Sequence, residues 1–300
     1  MSVAGIPAPI RRILIALDAS PGSIAALEAA GALAARVDAE LLGVFIEDVN
    51  LLNLAGLPFA AEVGLLSAGP RPLTPEEMER YLRDQGARAH VALTEIAERL
   101  QLRASFRVAR GQIVSELLAA AGDVDLLALG AISTQMLRRA WLGSTAQAIM
   151  AQSMHPLLIT PRGATVRSPI GVVCTESPGS MQALMLAAYV SARLDGGELV
   201  VLLVADDEEK EEQLRHAVAA RLGEMASARM RYRWLVEADV NGLARALRAE
   251  RVGTLVLASD IAELSTQSVR ALLERMDVAV LLTGVSQSVV DQSGRTSPGS

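Results

Sequence analysis

A repeated turn constrains this chain more than any other feature. The run Arg12-Ile-Leu-Ile-Ala-Leu-Asp18-Ala-Ser20-Pro21-Gly22-Ser23 leads into an Ala/Leu-rich helical stretch. Ile170-Gly-Val-Val-Cys174-Thr175-Glu-Ser177-Pro178-Gly179-Ser180 leads into another in the same way, so that Ser-Pro-Gly-Ser recurs at an offset of 157 residues. Each copy then runs on through a comparable alternation of strand and helix patterns, the mark of internal duplication. This predicts two similar domains, at residues 8–162 and 167–284, joined through the polar, Pro- and Gly-containing stretch from Pro161 to Pro169. Residues 285–300 read as a disordered tail, being polar and poor in core-forming side chains.

In the first copy, β-rich runs at 11–17, 40–46, 103–108, 124–130 and 156–160 alternate with helical patterns at 21–37, 75–101, 111–121 and 143–153. The second copy has strands at 169–174, 198–204, 230–236, 253–258 and 278–282, with helices near 178–194, 207–228, 239–251 and 263–275. Such alternation implies parallel strands with helical crossovers. The strands are almost wholly apolar, as in Leu126 to Leu129, which fits strands covered on both faces. The expected fold class is therefore α/β, with two tandem doubly wound, five-stranded, mostly parallel sheets and helices on both faces. The last strands, Pro156–Thr160 and Val278–Leu282, are predicted to pair across the tandem, because each would otherwise be an apolar edge with unpaired backbone groups.

Composition narrows the function classes. With 51% hydrophobic and 21% charged residues the chain is globular, and with 3% aromatics it offers no stacking platform for single-stranded nucleic acid. A formal charge of −6 argues against duplex nucleic acid or an anionic membrane as the main partner. Every apolar run is interrupted before it could span a bilayer, so no membrane insertion is expected. Cys174 is the one cysteine; it reads as a buried strand residue, and no disulfide or cysteine metal site can form within the chain. The stretch from Met1 to Ile10 lacks the features of a secretory signal, and a cytoplasmic location follows as an expectation. The acidic run Asp206 to Glu212 reads as the solvated first turns of a helix, where carboxylates suit the dipole.

In an open parallel sheet, ligands bind beyond the carboxyl ends of strands. Asp18 and Phe45 stand at such ends, as does the loop after Leu129, which contains Gly130, Ser133, Arg138, Arg139, Trp141, Gly143, Ser144 and Thr145. Gly130 is read as letting the backbone turn off its strand. Gly143-Ser144-Thr145 would present free amides and hydroxyls at a helix amino terminus, a ready anion site. Asp18 has two readings, as a ligand contact or as a cap of the following helix, although Ser20 already claims the cap. Arg138 and Arg139 are either solvated loop charge or phosphate contacts, and Trp141 reads as a packing anchor. The insertion from Glu47 to Thr74, apolar over Leu51 to Phe59, is either a lid or site wall, or plain packing.

These residues resemble the universal stress proteins, small α/β domains of which one branch binds ATP. That branch carries Gly, two residues, Gly, nine residues, then Gly followed by Ser or Thr, with Asp at the end of the first strand. Gly130, Gly143, Ser144 and Thr145 match at that spacing, while Ser133 stands in place of the second glycine. The resemblance is good over about residues 8–162 and weaker over 167–284. It implies an adenine nucleotide, ATP with Mg2+, held near Asp18, the strand around Phe45 and the glycine loop. It also implies pairing of the two domains through their last strands, with a homodimer as a further arrangement. If Ser133 must be left-handed, serine there costs on the order of 1–2 kcal/mol, about tenfold in affinity.

The second copy lacks the motif. Thr175 replaces the Asp, Ser259 replaces the strand-end Gly, and only five residues separate Ser259 from Ser265. The expectation is one nucleotide site, in the first copy, with the second as a built-in partner. The rival readings are an interaction module of the same fold that binds no nucleotide, and a slow ATPase. His90, His155 and His216 stand beside no candidate nucleophile in the sequence, so catalysis is not expected.

Overall fold

The computed structural model describes residues 9–57, 61–62, 71–72, 74–130, 132–134, 139–141, 143–161, 163–223, 229–237, 239–261 and 266–283. The first half contains β1 (Arg12–Leu17), α1 (Pro21–Val37), β2 (Glu40–Asp48), α2 (Val49–Ala55), β3 (Ala61–Glu62), β4 (Arg71–Pro72), α3 (Pro75–Leu100), β5 (Ala104–Gly111), α4 (Ile113–Ala120), β6 (Leu126–Gly130), β7 (Ile132–Thr134), β8 (Arg139–Trp141), α5 (Ser144–Gln152) and β9 (Leu157–Thr160). The second contains β10 (Ile170–Cys174), α6 (Pro178–Ser191), β11 (Glu198–Val204), α7 (Glu208–Leu222), β12 (Arg229–Leu235), α8 (Val240–Ala249), β13 (Thr254–Leu257), α9 (Thr266–Arg275) and β14 (Ala279–Leu282).

Capping explains where several helices begin. Ser20 caps α1, its side chain accepting from Ser23 N with Pro21 at the first position, and Ser177 caps α6 likewise. Thr74 and Glu77 form a capping box at the start of α3. The insertion after β2 is not simply a loop: Asp48 caps the seven-residue helix α2, which packs against α3.

Ten strands form one sheet in the order β12-β11-β10-β13-β14-β9-β6-β1-β2-β5. Two separate five-stranded sheets were the expectation, and the structure corrects it. β9 and β14 join the halves antiparallel, with Ile159 opposite Val280, Leu158 opposite Leu281 and Leu157 opposite Leu282. The other pairings within this sheet are parallel. The physical reason is burial. Every residue of β9 and of β14 is buried, so either strand left as an edge would expose both apolar side chains and a row of unpaired amides. Further ties cross the joint: Ile10 N donates to the Tyr189 hydroxyl at 3.2 Å in a buried setting, and Arg36 pairs with Asp195 at 2.7 Å.

The two outer strands of the fused sheet carry exposed arginines, Arg107 and Arg110 on β5 and Arg229, Arg231 and Arg233 on β12. Charge at an edge discourages further strand addition. Cys174 ends β10 fully buried, and burial pushes its thiol up to about 12. Among the described residues, no helix is long and apolar enough to cross a membrane. The tail expected over 285–300 lies outside the described residues.

Because the joint belongs to both halves, damage there should be felt in both. Leu281→Ala, at a fully buried position opposite Leu158, is expected to cost about 2–5 kcal/mol in urea unfolding and to keep a single transition. A loss below about 1 kcal/mol would contradict the fused sheet, as would unfolding of the second half alone.

Candidate functional site

β1, β2 and β6 are parallel neighbours, so their carboxyl ends lie side by side. Beyond those ends lies a cavity of about 530 Å³, within the range of small-molecule sites. Its walls are apolar: Ala16 and Leu17 from β1, Val44 and Ile46 from β2, Leu129 from β6, and Ile113 and Leu117 from α4. Its polar end is formed by Asp18, Ser20, Gly22 and Ser23 at the start of α1, with Gly130, Gly143, Ser144 and Thr145 at the start of α5. Of the nine sequence-predicted residues, Asp18, Gly130, Gly143, Ser144 and Thr145 line the cavity.

Asp18 closes the turn ahead of α1, whose cap is Ser20. Its Oδ1 accepts from Ser20 N at 2.9 Å, while Oδ2 makes no hydrogen bond with the described residues. Asp18 is exposed at the cavity mouth, and Ala19 beside it is left-handed at φ 56°, a conformation that costs a non-glycine residue about 1–2 kcal/mol. The strain is confined to the first copy, since Glu176 is not among the positive-φ residues.

Gly130 is needed for a reason other than a sharp turn. It pairs with Thr160 as the last residue of β6, and a Cβ there would stand 2.6 Å from Gly22 O. The glycine lets the strand end lie against the backbone of α1. Gly143 caps α5 with extended φ −63° and ψ 161°, and no side chain caps this helix. Among the described residues, the amides of Ser144, Thr145 and Ala146 find no acceptor beyond the helix. Among the described residues Gly22 N, the amide at the second position of α1, likewise finds no acceptor, because Ser20 serves Ser23 instead. Two helix amino termini thus present free donors to one cavity.

The structure corrects other expectations. Phe45 does not line the cavity: neighbouring residues of a strand point to opposite faces, so Val44 and Ile46 face the cavity while the Phe45 ring packs on Gly86 of α3. Ser133 lies in β7 opposite Ala140 of β8, so its backbone is extended and the left-handed strain argument does not apply. The side chains of Ser133, Arg139 and Trp141 lie outside the described residues, as does all of Arg138. Of the insertion, no described residue lines the cavity; residues 58–60, 63–70 and 73 lie outside the description. His90 stacks on Phe106 at 4.7 Å, and His216 is exposed on α7 with Nδ1 against Glu212 O.

One functional difference between the copies escaped sequence reading. In the second half, the Thr175 hydroxyl takes Asp18's turn-closing role, accepting from Ser177 N at 3.1 Å. Asp260, just beyond β13, reaches the start of α6: its Oδ2 accepts from Gly179 N at 2.9 Å and its Oδ1 from the Ser177 hydroxyl at 3.1 Å. Gly179 corresponds to Gly22 at the repeat offset. The amide left open in the first half is therefore occupied by the chain's own carboxylate in the second. Among the described residues, no group of three or more His, Cys, Asp or Glu could hold a metal ion.

A cavity beyond the carboxyl ends of parallel strands is where open α/β sheets bind their ligands. The model of the universal stress protein family matches residues 9–161, and the chain belongs to that family. A universal stress protein from Archaeoglobus fulgidus DSM 4304 shares the fold with a TM-score of 0.72 at 15% identity, covering 91% of this chain and 98% of its own. A functionally unknown protein from Pseudomonas aeruginosa PAO1 does so with a TM-score of 0.55 at 12% identity, over 91% of this chain and 92% of its own. No curated protein matches the chain.

Asp260 provides a test of the second-half geometry. Asp260→Ala is expected to destabilise the chain by about 1–2 kcal/mol in denaturant titration, since it frees the Gly179 amide and a half-buried serine hydroxyl. An unchanged midpoint would show that the carboxylate does not hold the start of α6.

Proposed function

We propose that the protein is an ATP-binding regulatory protein of the stress response, with a single nucleotide site in the first half. The observation that carries this reading is the meeting of free helix-start amides, at Gly22 of α1 and at Ser144–Ala146 of α5, in one cavity whose remaining walls are apolar. An anion gains from helix amino termini and an apolar slot accepts a planar base, so the cavity suits a ligand that is charged at one end. Phosphates belong at the Gly143-Ser144-Thr145 end, and the base belongs against Val44, Ile46, Ile113 and Leu117. Asp18 is the one ionisable residue in the described lining. A carboxylate repels phosphate, so Asp18 serves donor groups of the ligand or a phosphate-bound Mg2+.

In this reading the second half is a degenerate copy that acts as a permanent partner through β9 and β14, where a homodimer would otherwise be needed. The domain limits 8–162 and 167–284 follow as part of the same proposal. The reading is regulatory rather than catalytic: Asp18 alone among the lining residues could act as an acid or base, and its Oδ1 already closes the turn.

Native mass spectrometry of the full chain with Mg-ATP is expected to show one added nucleotide. Gly143→Val should weaken that binding by about tenfold or more, because a branched side chain blocks approach to the α5 amides. Its cap conformation suits a side chain, so the fold should persist. Two nucleotides per chain, or full binding by the variant, would contradict the assignment. No uptake at millimolar nucleotide would favour the interaction-module reading.

A further inference from the structure

We propose that the second half carries a separate anion site, for an oligophosphate, formed by Arg245, Arg248 and Arg275 where α8 meets α9. Positions 241, 244, 245 and 248 recur at helical spacing, so they share one face of α8. That face and the end of α9 line a surface cavity of about 480 Å³, with Asp239, Asn241, Ala244 and the three arginines around it. Two of the guanidinium groups are held in place. Arg275 donates to the Asn241 side-chain oxygen, and Arg248 Nη2 donates to the backbone oxygen of Arg275 at 2.9 Å.

Both anchors are neutral acceptors, so they orient the guanidinium forks without cancelling their charge. Arg248 thereby caps the end of α9, which is a structural task. Arg245 has none: it is exposed and makes no hydrogen bond or ion pair with the described residues. Elsewhere in this half Arg215 pairs with Glu211, Arg231 with Glu198 and Glu250, and Arg270 with Glu274, whereas the three arginines at this cavity have no carboxylate partner among the described residues. The one carboxylate in the cavity lining, Asp239, is spent as the cap of α8, accepting from Gly242 N at 2.8 Å and Asn241 N at 3.3 Å. Three positive groups thus face one occupied carboxylate, in a chain whose net charge is −6.

Guanidinium groups bind tetrahedral oxyanions through paired, parallel donors. Three of them spread around one depression suit a chain of linked phosphates better than a single phosphate. At exposed groups each charge contact is worth about 1 kcal/mol and is screened by salt, so the site should be salt-sensitive. This inference does not rest on the nucleotide site of the first half.

The test is an NMR titration of the full chain with inorganic tripolyphosphate at low salt, followed at the arginine Nε–H and backbone amide signals. Shifts are expected at Arg245, Arg248 and Arg275. Arg245→Glu, which breaks no bond in the fold, should weaken the binding read from those signals by about tenfold. Gly143→Val should leave it unchanged. Absence of shifts at α8 and α9 up to millimolar ligand would overturn the proposal, as would shifts confined to residues 143–146 or equal affinity in Arg245→Glu. Equal binding of a poly-glutamate peptide at these signals would also overturn it, marking the face as a docking surface for acidic protein instead.

Discussion

The structure depends on three facing pairs of aliphatic residues where β9 meets β14. Leu157, Leu158 and Ile159 lie opposite Leu282, Leu281 and Val280, and through them two parallel half-sheets become one ten-stranded sheet. An antiparallel joint between parallel halves is what a local two-fold relation between the copies requires. It also keeps α5 beside α9, so the helix at the cavity rests against the corresponding part of the other copy. The first half obtains within one chain the neighbour that its apolar last strand demands.

Within that symmetric frame the two copies use one turn in two ways. Both close it through a side chain at the strand end, Asp18 for Ser20 N and Thr175 for Ser177 N. Both cap the helix with the serine that follows. They differ at the second helix amide. In the second copy that donor is satisfied internally by Asp260. In the first it is open, and Gly130 brings the neighbouring strand end in so closely that even a methyl group would meet the Gly22 backbone. A free amide facing water costs little, whereas one facing an anion gains, and of the two turns it is the first that leaves such an amide open.

Much of this was legible in the sequence, for physical reasons. Fully buried strands are continuous apolar runs, and Ser-Pro at a strand end marks a helix start, so β1, β6, β10 and α1 could be placed from composition alone. The glycine spacing found the start of α5. What failed was whatever depends on direction or distance. A strand buried on both faces does not say which face a residue takes, so the strand around Phe45 could be placed at the cavity but not the fact that Val44 and Ile46, rather than the Phe45 ring, face it. Gly130 was identified for a turn, whereas its reason is a close approach to a helix distant in sequence. Asp48 before an apolar run was a usable cap signal for α2. Asp260 gave none, because it lies 81 residues from the amide it serves.

Two nearly identical turns differ in one amide, open at Gly22 among the described residues and closed by Asp260 at Gly179. Hydrogen exchange of the full chain with and without Mg-ATP reads both turns in one experiment. Slower exchange is expected at Gly22 and at Ser144 to Ala146, with Gly179 already slow and unchanged. Equal protection at Gly22 and Gly179, or nucleotide-dependent protection at Gly179, would contradict the account.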